Sequence, residues 1–307
     1  MNHITTVICC ALGAQTLATA ADAFSQEAKD FFLAEAASRC LLGKCQVFCG
    51  VALGDDSKSG TPVAFRVDEW MHGQRPPGDM INVPYIDHYR KEGIGGAPGA
   101  WGHIDFKVPT NVTLTVVLSL ENTLAGPAGE PVLVTFDDHE TNLIRSLLDL
   151  DQSFRTNPNL VRGAVASLST APNPVTAGYL LAYATGSRAT SPPSLAWDLL
   201  FEMLDSPGVP PEGRQGIPFF LATSSGVAPP GGRERMIRRF IDLALRDDMH
   251  SIQVGLEGIA IVVGQSEESV LTSISPAERA RLIAAYRSTT AGRKGGNKWL
   301  EAALGIK

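Results

Sequence analysis

From Cys45 to Phe136 apolar and polar residues alternate with a period near two. Val63, Phe65 and Val67 stand against Arg66 and Asp68, ahead of Trp70. Val112, Leu114, Val116 and Leu118 stand against Thr113, Thr115 and Ser119. Such alternation predicts strands with one face in a core and the other in water. The β-branched residues of the second run favour extended chain. Shorter runs predict strands over Gln46–Leu53, Met80–Val83, Trp101–Val108 and Val132–Phe136, separated by turn-rich pieces at Gly54–Gly60, Gln74–Gly78 and Glu92–Gly99. Pro76-Pro77-Gly78-Asp79 predicts a tight turn. Short antiparallel strands of this kind close most economically as a small barrel.

After Phe136 the period becomes three or four. Leu143, Ile144, Leu147 and Leu148 make one apolar stripe. Asn157-Pro158 reads as an N-cap and first helical residue, with Leu160, Val161, Ala164, Val165 and Leu168 on one face. Asn173-Pro174 repeats the signal, with Val175, Tyr179 and Tyr183 behind it and Gly186 as a stop. Further helices are expected from Ser194 to Leu204 and from Gly232 to Arg246. The latter lines Met236, Ile237, Phe240, Ile241, Ala244 and Leu245 along one side. Ser275-Pro276-Ala277-Glu278 is a capping box leading to Leu282, Ile283 and Tyr286. Ile252–Val263 fits either a buried strand or a helix packed between neighbours. Roughly seven or eight helices of about 10 to 15 residues result, each too short to stand alone in water. Successive antiparallel pairs suggest stacked hairpins, as in HEAT and armadillo arrays, or an irregular bundle.

The first half carries a resemblance. Val47-Phe48-Cys49-Gly50-Val51 is followed by Val63-Ala64-Phe65-Arg66-Val67-Asp68-Glu69-Trp70-Met71-His72-Gly73, then by Gly78-Asp79-Met80-Ile81-Asn82-Val83. This resembles the opening strands of netrin-like domains, the OB-type barrel of the tissue inhibitors of metalloproteinases. Bacterial secreted proteins of unknown function carry a similar pattern. The resemblance spans residues 35–140, about a third of the 307-residue chain. In the animal inhibitors a cysteine at the mature N-terminus chelates the target's zinc; here Phe24 would stand there, and inhibition by that route is not implied. The expected fold class is α+β in two domains. A small antiparallel OB-like β-barrel would occupy residues 24–140. An all-α array of short helix hairpins, HEAT-like or irregular, would occupy residues 141–307.

Residues 1–23 read as a signal peptide. Ile4–Ala21 is apolar and rich in small residues, and Ala21-Asp22-Ala23 fits a signal peptidase site, so a periplasmic or secreted protein is expected. Met1-Asn2-His3 carries no Lys or Arg, and the competing reading is a buried N-terminal helix in a cytoplasmic protein. Gln15 and several threonines argue against a permanent membrane span. Cleavage would remove Cys9 and Cys10 and leave Cys40, Cys45 and Cys49. One disulfide with a spare thiol, or three buried thiols, accounts for these. Cys45 and Cys49 on one strand would lie about 13 Å apart, too far to bond, so a bridge would use Cys40. Zinc would need a distant fourth ligand.

Composition narrows the function. An apolar content of 44% excludes wholesale disorder, and 32 acids against 26 bases argue against a nucleic-acid-coating surface. Four histidines lie in the first half: His72, His88, His103 and His139. Asp87-His88, His103 with Asp105, and Asp137-Asp138-His139-Glu140 pair imidazole with carboxylate, the ligand types of divalent metals. No metal-ligand spacing such as H-E-x-x-H or C-x-x-C accompanies them. The alternative is that they are loop and strand-end residues, with Asp137 to Glu140 capping a helix near Thr141. Ser224-Ser225-Gly226 lacks a nucleophile-elbow context, and Gly93–Gly99 carries Pro98 where a phosphate nest needs an amide. The basic tail Arg293–Trp299 reads as a linker. No catalytic, cofactor-binding or metal residue is assigned and no cofactor is implied. The expected function is a non-enzymatic exported binding or scaffolding protein with a protein partner. The alternatives are a metal-dependent hydrolase drawing on His88, His103, Asp105 and His139, and a cytoplasmic helical scaffold.

Overall fold

Ser25 opens the first helix among the described residues, its hydroxyl accepting the Ala28 N–H at 3.2 Å, and α1 runs Gln26–Leu41. The computed structural model describes residues 25–53, 62–83, 111–121, 128–129, 131–186, 193–265, 274–289 and 298–306. The chain divides into two compact units, Met1–Ala164 with Asn173–Gly186, and Val165–Pro172 with Ser187–Lys307. The first unit therefore extends past residue 140, where the change of rhythm suggests a boundary.

The protein is mixed α+β. Among the described residues five antiparallel strands follow α1: β1 (Cys45–Ala52), β2 (Val63–His72), β3 (Met80–Val83), β4 (Thr113–Ser119) and β5 (Pro131–Thr135). They lie in the order β3-β2-β1-β4-β5. The first four form a Greek key, in which β4 returns to lie beside β1; β5 then pairs with β4. Among the described residues the sheet is open, not a closed barrel, since β3 and β5 each pair on one side only. The expected strand Trp101–Val108 lies outside the described residues. The turn into β3 uses Gly78 at φ +91°, a backbone region that disfavours a side chain.

The two faces of the sheet differ. On the inner face Phe48, Ala52, Val63, Phe65, Val67, Val83, Leu114, Val116, Leu118 and Val134, drawn from all five strands, form one core. Phe48 meets Phe65 edge-on and stacks on Trp70, each at 5.7 Å between centroids. On the outer face Cys45, Val47, Cys49, Thr115, Val117 and Ser119 are also buried. The expectation that Thr115 and Ser119 of β4 face water is thus corrected, whereas Thr113 is exposed as expected. Helices α1 and α2 (Asp138–Thr156) lie on that side: α1 packs on β4 and β5, and Thr141 of α2 hydrogen-bonds Thr115 at 2.9 Å.

Helix α3 (Leu160–Ser167) starts two residues later than Asn157-Pro158 predicts. Asn157 Oδ1 accepts the Asn159 N–H at 3.2 Å in a turn, which leaves Leu160 exposed while Val161, Val165 and Leu168 are buried. Helix α4 (Pro174–Gly186) begins as predicted, with Asn173 Oδ1 accepting the Thr176 N–H at 3.0 Å. It packs closely on α1 at Gly178, where a Cβ would collide with the Phe31 carbonyl and with Ala34.

The second unit is helical over its described residues: α5 (Pro193–Met203), α6 (Pro211–Arg214), α7 (Ile217–Thr223), α8 (Gly232–Ala244), α9 (Met249–Gln265), α10 (Pro276–Ser288) and α11 (Lys298–Leu304). The ambiguous Ile252–Val263 segment is α9. It touches α6, α7, α8, α10 and α11, so apolar residues around its girth suit a helix among neighbours. Gly255 lets α8 approach, since a Cβ there would strike the backbone of Phe240 and Ala244. Ser275 and Glu278 form the predicted capping box of α10. Among the described residues no helix is long and apolar enough to cross a membrane.

Candidate functional site

The polar chemistry of the first unit gathers on the outer face of the sheet, and pairing register puts it there. Cys49 stands opposite Glu69 on one side and Thr115 on the other. Register shifts between Val47/Phe48 and Cys49/Gly50 bend this part of the β1–β2 ladder. Cys49 Sγ lies 3.2 Å from Thr115 Oγ1 and 3.5 Å from Met71 Sδ. Arg145 of α2 grips Glu69 with two parallel hydrogen bonds of 2.8 and 2.6 Å. That bond holds the Glu69 carboxyl below its usual range.

A second cluster sits where α1, α2 and α4 meet. Asp151, 2% exposed, falls one turn beyond Leu147 on the apolar stripe of α2. Its Oδ1 accepts the Tyr179 hydroxyl at 2.8 Å, and its Oδ2 accepts Arg155 Nε at 2.7 Å. Arg155 Nη2 reaches on to the Leu41 carbonyl at 2.6 Å, satisfying an acceptor left over at the end of α1. Burial, and then the charge of Asp151, push the Tyr179 phenol above its usual range. Burial, then Cys40 and Asp151, push the Cys45 thiol up to about 12. His72, at the end of β2, is pushed down by burial against the pull of Asp151. At neutral pH the thiol and phenol keep their protons, and the hydrogen bond to Asp151 holds the Arg155 guanidinium charged. The cluster therefore joins three helices and offers no thiolate nucleophile at Cys45.

The remaining sequence candidates are scattered. His139 lies in the first turn of α2, its N–H donating to Asp137 Oδ1 at 2.7 Å and its ring nitrogen 2.9 Å from Asp30 Oδ1. Asp137 also accepts the Glu140 N–H at 3.3 Å, so this acidic run caps a helix as the capping reading holds. His88, His103 and Asp105 lie outside the described residues, as do Gly93–Gly99 and residues 293–297 of the basic tail. Among the described residues no group of three His, Cys, Asp or Glu side chains is placed to hold a metal ion. Cys40, Cys45 and Cys49 are buried, and no disulfide involves any of them. Ser224 and Ser225 end α7 and begin a single 3-10 turn, Ser225–Val227.

In the second unit Asp205 accepts two hydrogen bonds from Arg246, at 2.7 and 3.1 Å, and pairs with Arg239. Arg235 lies over the Phe201 ring at 4.5 Å. These contacts fasten α5 to α8 and to the residues that follow it.

Sequence reasoning missed the Asp151 cluster. The signal was present: an acid one turn along from Leu147, with Arg155 four residues on. No family model, curated protein or solved structure matches the chain.

Proposed function

We propose that the protein is an exported, non-enzymatic binding protein whose first unit is a netrin-like, OB-type module holding a protein partner, followed by an irregular or HEAT-like helical array. The observation that carries this reading is the strand order β3-β2-β1-β4-β5 around a core supplied by all five strands. It is the order of an OB barrel unrolled between β3 and β5, a fold that binds on the face of its second and third strands. The uneven cover of the outer face agrees. Helices bury it over β1 and β4, while Arg66 and Asp68 of β2 and Met80 and Asn82 of β3 stand exposed on the same side. Export is supported by the cap of α1. Ser25 lies just beyond Ala23, so cleavage there leaves that helix and its cap whole.

The test uses the full chain expressed in an exporting host. Intact mass should show a mature N-terminus at Phe24; a retained Met1 overturns export. Cross-linking of the exported protein should identify one reproducible protein partner, lost in the Met80→Asp variant with its thermal unfolding unchanged. Stoichiometric zinc, lost on His103→Ala or His139→Ala and accompanied by hydrolytic activity, would overturn the binding-protein reading in favour of a metal-dependent hydrolase.

A further inference from the structure

Asp30 and His139 join two helices that are far apart in sequence. Asp30, on α1, is 15% exposed in its side chain, and its Oδ1 takes both Gln26 Nε2 at 2.7 Å and His139 Nε2 at 2.9 Å. Among the described residues His139 is the basic side chain that pairs with it. His139 occupies the first turn of α2, where the helix dipole opposes a cation. The charged groups acting on the imidazole are Asp30 from α1, and Asp137 and Glu140 from the start of its own helix.

We propose that the Asp30–His139 pair is an acid-strengthened clasp holding the first turns of α1 against α2. The carboxylate–imidazolium attraction replaces water that Asp30 has largely lost, and it offsets the unfavourable dipole under the imidazole. When the imidazole loses its proton the hydrogen bond can persist, but the ion pair is gone. The direction follows from the same charges: Asp30 raises the affinity of His139 for its proton above the ordinary value of 6.5. The clasp is therefore complete below that pH and weakens as pH rises through the raised value. A protein in an exported compartment meets such pH changes directly.

Amide hydrogen exchange of the full-length protein at about pH 5.5 and pH 8, corrected for intrinsic exchange, tests this. Protection of the Ala28–Phe32 amides, which are hydrogen-bonded from Ala28 onward, should fall roughly two- to five-fold on going to the higher pH, the range of an exposed ion pair. His139→Gln keeps a donor without the charge and should remove the pH dependence. His139→Lys should hold protection constant across the range. A pH dependence of α1 that survives in His139→Gln overturns the proposal, as does equal protection at both pH values in the unaltered protein.

Discussion

The inner face of the sheet and its outer face over β1 and β4 are both buried, yet by different means. The inner face is aliphatic and aromatic throughout, and its side chains from five strands cover one another. The outer face buries Cys45, Cys49, Thr115 and Ser119 among its apolar residues, packs on α1 and meets α2 through the Thr115–Thr141 hydrogen bond. The first arrangement rewards volume alone. The second also fixes position, because a hydroxyl opposite the wrong partner is left without a bond.

Substitutions at matched sites can break this distinction. The largest effect is expected inside: Phe65→Ala should cost about 3–5 kcal/mol by denaturant unfolding, through lost burial and the cavity left beside Phe48. Asp151→Ala should cost less, about 2–3 kcal/mol, since it strands the buried Tyr179 hydroxyl while Arg155, with a side chain 55% exposed, can turn to water. A reciprocal pair at adjacent residues sharpens the contrast. Val116→Thr places a hydroxyl in the apolar core and should cost about 1–3 kcal/mol. Thr115→Val on the other face should cost about 0.5–1.5 kcal/mol. Equal losses from the pair would show that the faces do not differ as described. The smallest effect is an alkaline one. The Cys45 thiol keeps its proton to about 12 in the folded chain against 9.0 unperturbed. Its contribution is complete below pH 9 and is lost above it, because the unfolded chain releases that proton first. Stability measured between about pH 8 and 11 should fall with a slope that Cys45→Ala reduces.

The strands were legible because one face of each carries large apolar residues at every second position. That pattern locates a core but is silent on what covers the reverse side, so Thr115 and Ser119 read as water-facing when helices lie over them. Helix α1 has no apolar stripe to betray it: its buried set mixes Phe31 and Leu33 with Ala28, Ala34, Ala37, Ser38 and Cys40 around the girth. The same evenness made α9 ambiguous. Capping residues act within a single turn, so Asn173, Asp137 and Ser275 mark their helix starts in the sequence itself. The Asp151 cluster depends on Tyr179 arriving from a distant helix, which no local pattern encodes.

The meeting of α1 and α4 at Gly178 has a kinetic corollary. The first helix of this unit finds one of its principal partners only after Gly186 has been made, nearly the whole unit later. A chain emerging from a ribosome or a translocation pore holds the Phe31–Ala34 surface uncovered until then, and closure over such a span is slow. The interval is one in which a chaperone can keep the chain open, so the same crossing that locks the finished unit also delays its locking.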